Sequence, residues 1–240
     1  MRIMSMHKTD DATEAGALPT PELMAGMGPL MDDMAKAGIL ESGEGLRPSS
    51  TGVRLNFSGG RRTVTKGPFK GANELITGFC MVRTRSLDEA IEWATRYAGI
   101  IGDCELDIRP VCEMWDLGFG QKPADDPTTR FMIVQKADRN SEAGVGYPPA
   151  VDAGMKTLVA EMTAAGVFIQ SGGLEPSSKA TRLHYNGNKR TVTDGPFAES
   201  KELIAGYVIL DVKSIDEAIY WSDRFAKVIG DVEIDIRRLW

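Results

Sequence analysis

Displaced by 128 positions, the chain aligns with itself without a gap. Gly67-Pro68-Phe69 falls on Gly195-Pro196-Phe197, Pro48-Ser49-Ser50 on Pro176-Ser177-Ser178, and Arg62-Thr63-Val64-Thr65 on Arg190-Thr191-Val192-Thr193. Asp88-Glu89-Ala90-Ile91 and Asp107-Ile108-Arg109 recur at Asp216-Glu217-Ala218-Ile219 and Asp235-Ile236-Arg237. About four residues in nine are identical between the copies, the mark of a repeated structural unit. The copies are residues 1–112 and 130–240. The stretch 113–129 between them holds Gly118, Gly120, Pro123 and Pro127 and reads as a linker.

Each copy follows one order of elements. Ile3-Met4-Ser5-Met6 and Phe131-Met132-Ile133-Val134 open as apolar strands, followed by a polar loop. Met27, Leu30, Met31 and Met34 recur at helical spacing and stop at Gly38; Met155, Leu158, Val159 and Met162 repeat the stripe and stop at Gly166. Pro21 and Pro149 suit a first helical turn. A hairpin is expected around Gly59-Gly60 and Gly187, then the Gly-Pro-Phe loop and an apolar strand. Ser86-x-x-Glu89 and Ser214-x-x-Glu217 are capping boxes opening a second helix. The last strand alternates, with Leu106 and Ile108 opposed to Asp107 and Arg109. This order predicts an α+β fold of two ferredoxin-like βαββαβ-type repeats. The open sheet face of one copy would be covered by the other, an intramolecular pseudo-dimer with room for further homodimerisation.

A net charge of −6 argues against a nucleic-acid partner, which requires a basic face. The N-terminus turns polar within a few residues and no run approaches a membrane span, so a cytoplasmic protein is expected. Cys80, Cys104 and Cys112 lack metal or redox spacing and have apolar or aromatic counterparts, so they read as reduced core thiols. No metal site and no cofactor are expected: ligand clusters are absent, and the glycine-rich stretches lead into Pro48 and Pro176 rather than into a helix.

The run from Thr191 through Asp194-Gly195-Pro196-Phe197 to Glu202 resembles the signature of the YCII-related family, in its DGPF branch. The likeness covers both copies. It implies a ferredoxin-like fold whose sheets pair into a dimeric α+β barrel. It also implies small-molecule enzymes in some shorter relatives, which use a histidine–aspartate pair, and a genetic association with sigma factors in others. The present chain departs from the enzymatic pattern, because positions 21–37 and 149–165 contain no histidine.

Asp194, Glu199 and Lys201 lie close together beside a glycine and a proline that shape their loop. Asp194 is the candidate catalytic residue, a general base if burial raises its pKa. The alternative is an aspartate-glycine turn with solvated neighbours. In the first copy the equivalent positions are Lys66, Gly71 and Asn73, so the loop shape is kept while the charges change. Arg54, Arg182, Arg109 and Arg237 recur between copies and are candidate carboxylate anchors, or partners of strand acids such as Glu105 and Glu233. His184, beside Arg182 on a strand, is a further ligand candidate, and His7 corresponds to Gln135. Two functional readings follow. One is a small-molecule-binding protein with lyase- or isomerase-like activity in a barrel cleft. The other is a non-enzymatic regulatory module acting with a sigma factor.

Overall fold

The computed structural model describes residues 1–71 and 73–240. Opening strands β1 (Arg2–Lys8) and β7 (Thr129–Lys136) are each followed by a single helical turn, α1 (Asp11–Glu14) or α4 (Arg139–Glu142). The polar sequence of these stretches predicts a loop, and the structure differs there by one helical turn each. The turns form because the Asp10 and Asp138 carboxylates accept the Thr13 and Ser141 N–H at 2.7 Å. The methionine-striped helices are α2 (Pro21–Lys36) and α5 (Pro149–Ala164), each with proline in its first turn. Gly38 and Gly166 follow them at φ +70°. The second helices are α3 (Leu87–Ile101) and α6 (Ile215–Ile229). Ser86 and Ser214 accept the Glu89 and Glu217 N–H at 3.2 and 3.1 Å, and those glutamates reach back to the Arg85 and Lys213 N–H.

The remaining strands are β2 (Leu40–Leu46), β3 (Val53–Ser58), β4 (Arg61–Lys66), β5 (Ile76–Thr84) and β6 (Cys104–Cys112) in the first copy. The second copy supplies β8 (Phe168–Gly173), β9 (Thr181–Asn186), β10 (Lys189–Asp194), β11 (Ile204–Asp211) and β12 (Val232–Arg238). All twelve join one antiparallel sheet, with the six helices packed on it or at its ends. The two copies are interleaved in it. β1 lies between β11 and β12 of the second copy, and β7 lies between β5 and β6 of the first. Likewise β2 borders β11 and β8 borders β5. Each opening strand-helix-strand is therefore laid against the other copy. β2 also meets β6 through Gly45–Cys112 and Leu46–Val111, and a Leu174–Leu239 bridge ties the end of β8 to the end of β12. The β3–β4 hairpin extends from β6 and the β9–β10 hairpin from β12.

Three apolar layers result. One face of β1, β11 and β12 packs under α2 and α6, where Ile3, Leu30, Leu210 and Trp221 meet. One face of β5, β6 and β7 packs under α3 and α5, around Val82, Ile91, Ile108 and Met162. The opposite faces share a central core that includes Met4, Met6 and Met81 with Met132, Tyr207 and Ile209, so its side chains come from both copies. The strands between these layers are buried on both faces and leave no place for solvated charge, yet they carry Asp107, Arg109, Asp235 and Arg237, each 1% exposed. They are paired instead of hydrated.

The pairing crosses between the copies. Lys136 of β7 meets Asp107 of β6 at 2.8 Å and also meets Glu74, while Arg54 of β3 binds Asp107 at 2.6 Å and Glu74 at 2.8 Å. In the equivalent cluster Lys8 of β1 meets Asp235 of β12 at 2.9 Å, and Arg182 of β9 meets it at 2.6 Å. Both aspartates are held below the usual carboxylate range: burial opposes ionisation, but the adjacent lysine and arginine overcome it. The Arg109 guanidinium donates to the carbonyls of Arg47 and, across the copies, of Ile204. Arg237 donates to those of Glu175 and Ile76.

The Gly-Pro-Phe loops brace these clusters. Phe69 and Phe197 lie under the Arg54 and Arg182 guanidinium groups, 4.6 and 4.2 Å from centroid to carbon. The Phe197 N–H donates to Ser177 Oγ at 3.1 Å, and Ser177 in turn is bonded to Glu142. A Cβ at Gly67 would sit 1.8 Å from the Ser49 carbonyl oxygen, and one at Gly195 1.7 Å from that of Ser177. Glycine is required there because the obstacle is backbone.

Two outcomes follow for stability. Asp235→Asn strands the buried Lys8 charge, leaves Arg182 only Glu233, and should lower unfolding free energy by about 3–5 kcal/mol, read from urea denaturation. An unchanged midpoint would mean that the carboxylate is dispensable. Gly195→Ala should cost about 3 kcal/mol by the same measurement, while the exposed Ala198→Gly in the same loop should stay within about 1 kcal/mol.

Candidate functional site

Two clefts open between the helices and the sheet, at positions related by the repeat. The larger, about 920 Å³, lies between α3, α5 and the helix-facing side of β5 and β7. Trp93, Ile133, Met155, Leu158 and Met162 make its walls apolar. Three polar groups converge in it. Tyr97 of α3 donates to Gln135 Oε1, and Gln135 Nε2 donates to the Tyr147 hydroxyl at 3.0 Å. Burial, then the neighbouring Tyr147, raises the Tyr97 phenol well above its ordinary value, so it keeps its proton. Burial also pushes the Cys80 thiol up to about 12, which leaves it un-ionised and unreactive at neutral pH.

The smaller cleft, about 360 Å³, lies between α2, α6 and the equivalent side of β1 and β11. Its lining includes Met24, Met27, Met31 and Met34, with Phe225 and Tyr207. Here the polar trio is replaced position by position: His7 stands for Gln135, Phe225 for Tyr97 and Pro19 for Tyr147. The His7 ring packs on Phe225 with centroids 5.1 Å apart. Burial lowers its pKa to about 4, against a small opposing effect from Asp10.

The residues singled out from sequence lie elsewhere. Arg54, Arg109, Arg182 and Arg237 are engaged by the ion pairs and carbonyls described above, with Asp107 and Asp235 as nearer partners than Glu105 (3.5 Å) and Glu233 (3.3 Å). Asp194 is exposed at the end of β10, 3.3 Å from the Thr181 hydroxyl. Glu199 and Lys201 form an exposed pair at 3.3 Å. His184 is exposed on β9, opposite Thr191 and Glu233. None of these eight side chains lines either cleft. Sequence reasoning passed over Tyr97, Gln135 and Tyr147. One signal was available: positions 7 and 135 carry polar groups near the end of each opening strand, in the phase of the helix-facing Ile3 and Ile133. Among the described residues no cluster of three or more His, Cys, Asp or Glu side chains could hold a metal ion.

His7 has a measurable consequence. Its native pKa of about 4 is below the ordinary 6.5, so between those values the folded state binds fewer protons than the unfolded chain. Stability contributed by the neutral imidazole is complete above about pH 6.5 and is lost as pH falls toward 4, by up to about 3 kcal/mol. Asp107 and Asp235 lose their contribution only below that window, because their pKa values are depressed. Urea denaturation at pH 7 and 4.5 should show a decline that His7→Gln largely removes; an equal decline in the variant would assign it to other groups.

The family model for the YCII-related domain matches residues 1–101 and again residues 129–234. A stretch of 46 residues, 19% of this chain, is 41% identical to an uncharacterised protein of Rhizobium meliloti (strain 1021) and spans 37% of that relative's length. No solved structure matches the chain. No helix among the described residues is long and apolar enough to cross a membrane. With matches over most of its length, at the two places where the fold repeats, the chain belongs to the YCII-related family and carries that domain twice.

Proposed function

We propose that the protein binds a small, largely apolar molecule in the cleft of about 920 Å³, and that binding is its primary activity. The scaffold in this reading is a dimeric-type α+β barrel. Its eight strands run β12-β1-β11-β2-β6-β7-β5-β8, and each ferredoxin-like unit takes its opening βαβ from one copy and its other strands from the second. The observation that carries the reading is the convergence of Tyr97, Gln135 and Tyr147 against the apolar wall of Trp93, Ile133, Leu158 and Met162, the composition of a ligand site. A ligand carbonyl or hydroxyl would take the place of the Tyr147 hydroxyl, whose side chain is 44% exposed on the loop before α5.

Lyase- or isomerase-like turnover would need a group that exchanges a proton near neutral pH. Tyr97 is a hydrogen-bond donor there; of the carboxylates that line the cleft, Asp103 and Asp138 already accept the N–H groups of Gly59 and Ser141, and Asp152 is exposed to solvent on α5. This favours binding over turnover.

A thermal-shift screen of small aromatic acids, lactones and halogenated phenols tests the proposal. A ligand at 100 times its dissociation constant adds about 2.7 kcal/mol and should raise the midpoint by several degrees. Tyr97→Phe should weaken such binding about tenfold. Asp194→Ala should leave it unchanged, since the Asp194 loop lies outside the cleft. Loss of binding in Asp194→Ala with retention in Tyr97→Phe would move the site to that loop.

A further inference from the structure

The smaller cleft has a chemistry of its own. His7 enters it from β1, and space for the imidazole depends on Gly206 of β11, where a Cβ would come within 2.6 Å of His7 Cε1. Among the described residues no hydrogen bond reaches either ring nitrogen. The nearby hydroxyls of Ser5 and Ser222 pair with each other at 3.3 Å, and Tyr207 Oη accepts from Gln170 at 2.8 Å. The half-buried imidazole is thus left without a protein hydrogen-bond partner and faces a space walled by thioethers and aromatic rings. A ligand donor that reaches a ring nitrogen there makes a hydrogen bond shielded by apolar walls, and gains accordingly. The contrast with Gln135 is instructive, because that side chain is committed to two tyrosines.

We propose that this cleft is a second ligand site, for a compact one- or two-ring aromatic molecule carrying one O–H or N–H donor, with a His7 ring nitrogen as the acceptor. The volume of about 360 Å³ is near the lower end for ligand pockets and limits the occupant to that size. Met27 and Met31 supply polarizable thioethers suited to a ring face, and Phe225 supplies an aromatic one. The imidazole is neutral at physiological pH, as an acceptor must be. The two clefts of the duplicated chain would then read different ligands: the larger through a tyrosine–glutamine trio, the smaller through a lone imidazole.

The chain contains 2 histidines, and the other, His184, is exposed on β9, so nitrogen-labelled histidine gives an assignable spectrum with an internal control. The full-length protein is titrated with 2-naphthol and, separately, with 2-methoxynaphthalene, which has the same rings and no donor. The expected result is a saturable shift of the His7 ring nitrogens with 2-naphthol, binding about tenfold tighter than the methyl ether, and no movement of His184. His7→Gln should weaken 2-naphthol about tenfold. Unmoved His7 resonances at millimolar probe, or equal affinity for the two compounds, would overturn the proposal. Because the readout is His7 itself in the unaltered chain, failure here leaves the Tyr97 test of the larger cleft intact.

Discussion

Two buried aspartates, Asp107 and Asp235, hold the architecture at the seam between its copies. Each sits on a closing strand of one copy and receives a lysine from the opening strand of the other, while an arginine from the adjoining hairpin completes the cluster. A carboxylate in such a place is tolerable only when fully paired, so the cluster rewards one register of the interleaved strands and penalises its neighbours. The Gly-Pro-Phe loop belongs to the same device: its phenylalanine covers the arginine, and its glycine lets the loop close on the Ser49 or Ser177 carbonyl. The connection between copies is likewise anchored, with Asp116 on Arg47 and Glu113 on Arg130.

With the scaffold fixed by the charges and by the shared core of Met4, Met6, Met81, Met132 and Tyr207, the clefts beneath the helices are free to vary. Duplication on one chain permits such variation. In a symmetric pair of separate chains, a change at position 7 would appear in both clefts. Here Gln135 and His7 occupy equivalent places with different neighbours, and the two volumes differ more than twofold, about 920 against 360 Å³.

Local rules were legible in the chain. The Ser-x-x-Glu boxes, the prolines at the first helical turns, the Gly59-Gly60 turn at φ +56° and +75°, and the stops at Gly38 and Gly166 depend on residues a few positions apart. The repeat itself, and the architectural weight of Gly-Pro-Phe, were legible because one copy checks the other: Lys66 replaces Asp194 while the loop remains. The charged face of the last strand was harder to read. Alternation placed Asp107 and Arg109 opposite Leu106 and Ile108, but a polar strand face is ordinarily solvated, and nothing local tells that a second copy covers it.

The sequence by itself therefore determined the duplication, the order of elements, their caps and turns, and the family, since these rest on short-range chemistry or direct comparison of the copies. The tertiary structure alone decided that the opening strands exchange between copies, because strand pairing is a competition among distant partners settled by the total burial and charge neutralisation of the sheet. That exchange commits Arg54, Arg109, Arg182 and Arg237 to the scaffold and leaves the Asp194 loop at the surface. It also brings Tyr97 of one copy beside Gln135 and Tyr147 of the other, and His7 beside Phe225, so the residues of each cleft, far apart in sequence, meet only when the two copies fold into one another.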